Sequence, residues 1–185
     1  SDPDEQDDFR HGFVRIKRNI YGALELKNAK YHPLLILNKH GKAIYWKRLH
    51  NKLNSYKDWP VIHYGETELI SFMRLAKSQS INQTEISKIS TRFIDIHARL
   101  KRHWRLPLNS YGLKTVANWT GFQWHKNRAD GARALLWWRQ WKRAKNKSIN
   151  DKNLLKYLLE YNQDDCIATW SVAEWLLKKD SLLQQ

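Results

Sequence analysis

The chain has 185 residues, 42% of them hydrophobic, with ten tryptophans, one cysteine and a formal net charge of +15 at pH 7. That length is enough to bury a core without disulfides or structural metal, which argues against disorder and against a second domain, and no apolar run approaches the ~18 residues of a membrane span. Of the 18 acids five, Asp2, Asp4, Glu5, Asp7 and Asp8, precede the first basic residue, Arg10, so that 33 Lys and Arg face 13 acids thereafter.

Such an excess calls for a polyanionic partner, nucleic acid above all. An anionic membrane would want a basic amphipathic helix with a free apolar face, whereas the cations here are scattered over several segments. Cys166 has no internal partner; it reads as a small buried filler and fits a reducing cytoplasm. The chain opens on Ser1 without a targeting segment, and the expectation is a domain excised from a longer protein.

In chain order, Phe9 to Lys17 and Tyr21 to Leu26 read as strands with a turn near Asn19 and Gly22, and His32 to Leu37 as a further short strand. After a turn at Asn38 to Gly41, the spacing of Ile44, Tyr45, Leu49 and Leu53 predicts a helix over Ala43 to Leu53. Pro60 to Tyr64 is a short buried strand, and beyond Gly65 the positions of Leu69, Ile70, Phe72, Met73 and Leu75 predict a helix with Glu66 and Glu68 in its first turn. From there the chain reads as almost entirely helical. One helix opens at Phe93-Ile94-Asp95-Ile96 and runs to about His103, Pro107 breaks it, and Ser110 caps another that reaches Asn118 and stops near Gly121. Asp130-Gly131 begins a Trp-rich helix over Ala132 to Ala144, Lys145 to Asp151 is a polar link, and a helix or helix pair closes the chain from Lys152 to about Lys179. Strands first and helices after, with one inserted strand, give an α/β or α+β layout, a small sheet covered by helices.

Two segments carry chemistry. Tyr161 and Asp165 lie four residues apart and share a helix face, a pairing that suits a metal-dependent phosphodiesterase: the acid holds a divalent cation and the phenol orients a water. The run His63-Tyr64-Gly65-Glu66-Thr67-Glu68 places a second carboxylate behind a short strand. Each has a plainer reading. Asp165 as a surface acid and Tyr161 as a core phenol are ordinary, and Glu68, like Glu66, suits the positive end of a helix. His63 and Tyr64 read as core or strand-end residues, and Asp95 as a helix cap. Asp164, about 100° around the helix from Asp165, reads as solvated. Lys114 either approaches a phosphate or sits on an exposed face. Trp137 and Trp141 share a face and are either core or, with Arg133, Arg139, Lys142 and Arg143 interleaved, a stacking surface for single-stranded ends. His97, His103 and His125 show no zinc spacing.

Glu68 behind the Pro60–Gly65 strand, Asp95 in Phe-Ile-Asp-Ile, Ser110-Tyr111-Gly112-Leu113-Lys114 and the run Tyr161 to Thr169, in that order, resemble the RNase H-like exonuclease domain related to DnaQ-type 3′→5′ exonucleases, in the branch associated with RecB-type nucleases. The resemblance covers nearly the whole chain, and its most specific element is Tyr161-x-x-x-Asp165. It implies a single α/β domain over residues 1–185, a small mixed RNase H-like sheet flanked by helices and lacking its first strand. It implies Mg²⁺ or Mn²⁺ in a two-metal site of the intact protein, with Glu68 and Asp165 as metal ligands, Tyr161 beside them in catalysis and Asp95 supporting them. Lys114, Arg133, Arg139, Lys142 and Arg143 would meet DNA or RNA, at single-stranded ends, with no membrane and with other domains of a larger nuclease or helicase as further partners. The family's Asp-x-Glu strand has no counterpart here, and Ser1-Asp2-Pro3-Asp4-Glu5 resembles the loop that follows it. The expectation is therefore weak metal binding and poor cleavage by these residues alone. A catalytically inactive module that binds nucleic acid or docks onto a larger machine is the rival.

Overall fold

The computed structural model describes residues 10–18, 24–25, 30–35, 41–125, 131–144 and 148–182. The architecture is mixed α/β. Strand β1 (Arg10–Val14) pairs antiparallel with β4 (Tyr31–Leu35), Gly12 opposite Pro33. The short β2 (Lys17–Arg18) and β3 (Leu24–Glu25) pair with one another. One continuous strand was expected from Phe9 to Lys17, but the ladder is interrupted at Arg15, whose guanidinium turns aside to donate to the Tyr56 hydroxyl at 3.0 Å. The expected turns near Asn19 and Asn38 and the start of the Trp-rich helix at Asp130 lie outside the described residues.

Helix α1 (Lys42–Asn54) buries Tyr45, Trp46, Leu49 and Leu53, and leads to β5 (Val61–His63). Helices α2 (Thr67–Ser78) and α3 (Gln83–Ser90) follow, and Phe72, Leu75, Ile86 and Ile89 complete a first core cluster with α1. Phe93–Asp95, read from sequence as a helix start, is strand β6, parallel to β5 with His63 opposite Asp95. Phe93 packs its ring against Phe72 and His63, and the helix starts only at Ile96 because Asp95 is its N-cap. Arg92, just before β6, donates to the carbonyls of Leu53, Tyr56 and Trp59 and so ties the strand to the end of α1.

Helix α4 (Ile96–His103) and helix α5 (Leu113–Trp119) pack on the closing helix through Leu100, Val116, Val172 and Leu176. The N-cap of α5 is Gly112, without a side-chain cap bond, and Ser110 bonds Thr115 instead. Helix α6 (Gly131–Arg143) lies along the first half of α7 (Ile149–Leu182) around Ala134, Trp138 and Leu158. The closing segment is a single helix of 34 residues, about 50 Å long, and it touches β1, β5, α4, α5 and α6. Gly12 is where β1 passes it: a Cβ there would run into Asn162 and Tyr31, whose hydroxyl donates to Asn162 at 2.7 Å.

The pairs β1–β4 and β5–β6 are not hydrogen-bonded to each other among the described residues. Between β1 and β5 lies a cavity of about 860 Å³, with α7 contributing Asn162, Asp165 and Cys166 to its wall.

Candidate active site

The parallel pair β5–β6 delivers its chemistry at the strands' carboxyl ends, where open α/β sheets place their ligand sites. His63, the last residue of β5, is buried and donates from Nδ1 to the Gly65 carbonyl at 2.7 Å. This holds a turn in which Gly65 takes φ +91, a conformation that favours glycine. The Gly65 N–H in turn donates to Asp95 Oδ1 at 2.9 Å. The same oxygen receives the N–H groups of His97 and Ala98, so one carboxylate caps α4 and pins the β5 exit. Asp95 therefore acts through backbone.

The turn sets Glu68 in the first turn of α2. Although its side chain is 44% exposed, Oε2 is sealed from solvent without a hydrogen-bond partner, 3.9 Å from His63 Nδ1. Burial raises its carboxyl above the ordinary range, while its own backbone amide and His63 pull it down and nearby Asp95 adds to the rise. His63 Nε2 is likewise buried and unpartnered.

Across the cavity stands Asp165 on α7, whose Oδ1 accepts the Trp124 indole N–H at 2.9 Å. Burial pushes its carboxyl up to about 7, and the negative charges of Asp164 and Glu68 add to the shift, against the Trp124 bond and Lys114. The two carboxylates that the sequence singled out thus line one cavity and feel each other's charge. Glu66, the alternative to Glu68, is exposed and does not line it.

Asp164 is not solvated, contrary to the reading from helix geometry. It is 3% exposed, accepts the His125 backbone N–H at 2.9 Å and meets His125 Nδ1 at 2.6 Å. The consecutive acids Asp164 and Asp165 hold the consecutive residues His125 and Trp124, so the loop after α5 is strapped to α7 beside the cavity. Sequence reasoning missed Trp124 and the His125–Asp164 pair. Adjacent acids on a helix were a visible signal, but their partners lie about 40 residues away.

Tyr161, one turn before Asp165, is half-buried between the α5 and α6 sides of α7, and lies outside the residues that line the cavity. Cys166 does line it, donating from Sγ to the Gly12 carbonyl at 3.3 Å, with burial pushing its thiol up to about 12. Lys114 is half-buried and faces inward, 6.0 Å from the Trp124 ring centroid. On α6, Arg133, Arg139, Lys142 and Arg143 are exposed, whereas Trp138 is buried and Trp137 and Trp141 are half-buried against α7. Those tryptophans belong to the core, and the cations form the outer face.

A family model described as the RNase_H superfamily matches residues 4–177, and the chain belongs to that family. No curated protein and no solved structure matches it. The family links the fold to nuclease-like chemistry on nucleic acids. No helix among the described residues is long and apolar enough to cross a membrane.

The donor set bears on the metal that such chemistry employs. Glu68 and Asp165 offer oxygen donors, and an unpartnered buried carboxylate oxygen is what a hard cation would satisfy. They fit one hydrated divalent ion. Among the described residues no group of three or more His, Cys, Asp or Glu could hold a metal ion, so these do not make a two-ion cage.

Proposed function

We propose that the chain is a DnaQ-like 3′→5′ exonuclease domain of the tyrosine-bearing subclass, hydrolysing phosphodiester bonds at single-stranded ends of DNA or RNA with Mg²⁺ or Mn²⁺. The observation that carries this reading is the sealed, unpartnered Oε2 of Glu68 in a cavity shared with Asp165. Glu68 and Asp165 hold the cation, which when bound supplies positive charge to the scissile phosphate and acidity to a water. Trp124 keeps Asp165 turned toward the cavity, and Lys114 meets the phosphate. Tyr161, one helical turn before Asp165, takes the role of orienting the attacking water that the family resemblance gives it. Arg133, Arg139, Lys142 and Arg143, exposed on the outer face of α6, draw the polyanion. Carboxylates on a strand seated between β1 and β5 would complete a two-ion set. The lone thiol fits a reducing cytoplasm, with further domains of a nuclease or helicase as partners.

The second reading is a catalytically inactive module that binds nucleic acid or docks onto a larger assembly. The absence of a three-donor group among the described residues favours it. Incubation of 5′-labelled oligonucleotides with Mn²⁺ separates the two. Progressive shortening from the 3′ end, lost in Asp165→Ala, supports the exonuclease. Retention of the strand without hydrolysis, even with the protein extended upstream, supports the inactive module. Tyr161→Phe should slow turnover about tenfold or more while leaving oligonucleotide affinity nearly unchanged, as read from single-turnover rates against anisotropy.

A further inference from the structure

Some distance along α7 from the carboxylates, three tryptophans meet at the protein surface. Trp175 of α7 takes Trp104, which follows α4, edge-on at 5.1 Å between ring centroids, and Trp119, the last residue of α5, edge-on at 5.1 Å from another side. With Pro107, Arg105 and Lys179 they line a shallow pocket of about 530 Å³. Trp104 and Trp175 are half-buried against the α4–α5 core, so they are held in place, but Trp119 is 41% exposed. The scaffold behind is fixed by the Tyr111 hydroxyl, which accepts the Leu106 N–H at 2.7 Å, and by the Tyr64 hydroxyl, which donates to the Tyr111 carbonyl at 2.6 Å.

The rim is basic. Arg105, exposed, and Lys179, with Nζ 5.9 Å from the Trp175 ring centroid, line it, and Lys101, Arg102 and His103 in the last turn of α4 add positive charge nearby in the chain. The nearby acids are already engaged, Asp180 with Arg99 at 3.4 Å and Glu174 with Lys178 at 3.5 Å. An aromatic cage for an organic cation would not carry Arg105 and Lys179 at its mouth. Exposed indole beside guanidinium and ammonium instead suits a flat base with phosphates on either side.

We infer that the Trp104–Trp119–Trp175 pocket is a stacking subsite for a base of single-stranded nucleic acid, upstream of the nucleotide at Glu68 and Asp165. This deepens the nuclease reading and depends on it only for which strand end lies where. Trp175 is ten residues beyond Asp165 on α7, about 15 Å along the axis, a span of about four stacked nucleotides. Between them α5 follows α7: Lys114 at its start faces Asp165, and Thr120 just past its end meets Ser171 at 3.1 Å.

The test is anisotropy of labelled dT2, dT10 and rU10 in EDTA, where nothing is cut, with wild type, Trp119→Ala, Trp119→Phe and Lys179→Glu. Trp119→Ala should weaken dT2, dT10 and rU10 alike, about tenfold, because the stacked base is lost whatever the strand length. Trp119→Phe should recover most of the affinity, and Lys179→Glu should weaken both long strands and lower the salt slope. The two long probes show whether deoxyribose or ribose is preferred. Equal dT10 and rU10 affinity in wild type and in both Trp119→Ala and Lys179→Glu overturns the subsite, and Asp165-dependent cleavage in Mn²⁺ would show the nuclease reading surviving it. Loss of affinity in Trp119→Ala without any such cleavage upholds the subsite while the hydrolytic reading fails.

Discussion

Asp165 is the residue on which the most chemistry converges. Its carboxyl titrates near 7 in the folded protein because burial disfavours the charge, against about 4 in an unfolded chain. A carboxyl raised on folding contributes its stability below the unfolded value and loses it as pH climbs through the folded one. Wild type should therefore lose stability relative to Asp165→Asn between pH 4 and pH 8, on the order of a few kcal/mol across the window. Urea midpoints of the two proteins at pH 5 and pH 8 read this directly. A constant difference between them would mean that Asp165 is ionised in the folded protein throughout. Trp124→Phe, by removing a bond to the ionised form, should move the Asp165 titration further toward alkaline pH, visible as a displaced carboxyl resonance.

Among the elements, the crossing of β1 and α7 is the tightest. Gly12 has no room for a methyl group against Asn162 and Tyr31, so Gly12→Ala should cost about 1–3 kcal/mol in urea unfolding. An unchanged midpoint would show that the strand can stand away from the helix. At the other side of the cavity Arg92 satisfies three carbonyls at once, and Arg92→Ala should cost about 2 kcal/mol by the same measurement. The helices were legible from apolar spacing, as in Tyr45, Leu49 and Leu53 of α1, because their packing faces repeat along the chain. Strand β6 was not. Phe93-Ile94-Asp95 is too short to show alternation, and its strand state comes from a parallel partner 32 residues earlier. Asp164 was misread for a related reason: helix rotation places a side chain on a face, but a loop brought in from residues 122–125 decides whether that face meets water.

In the whole molecule, one long helix joins the three places to which the proposals assign a role. Its first half carries α6 with the exposed cations, its middle presents Asp165 to the cavity, and its far end supplies Trp175 and Lys179. The overall positive charge was plain in the composition, but its division between an α6 face and an α4–α7 rim required the fold. The convergence of Glu68 and Asp165 was legible only through the family resemblance, since nothing in either segment alone encoded their meeting. Mn²⁺ uptake measured by electron paramagnetic resonance at pH 6 and pH 8 tests that meeting most directly. One ion should bind, more tightly at pH 8 because Asp165 must shed its proton, and both Glu68→Gln and Asp165→Asn should weaken it at least tenfold. Equal Mn²⁺ binding by wild type and both variants would contradict the account.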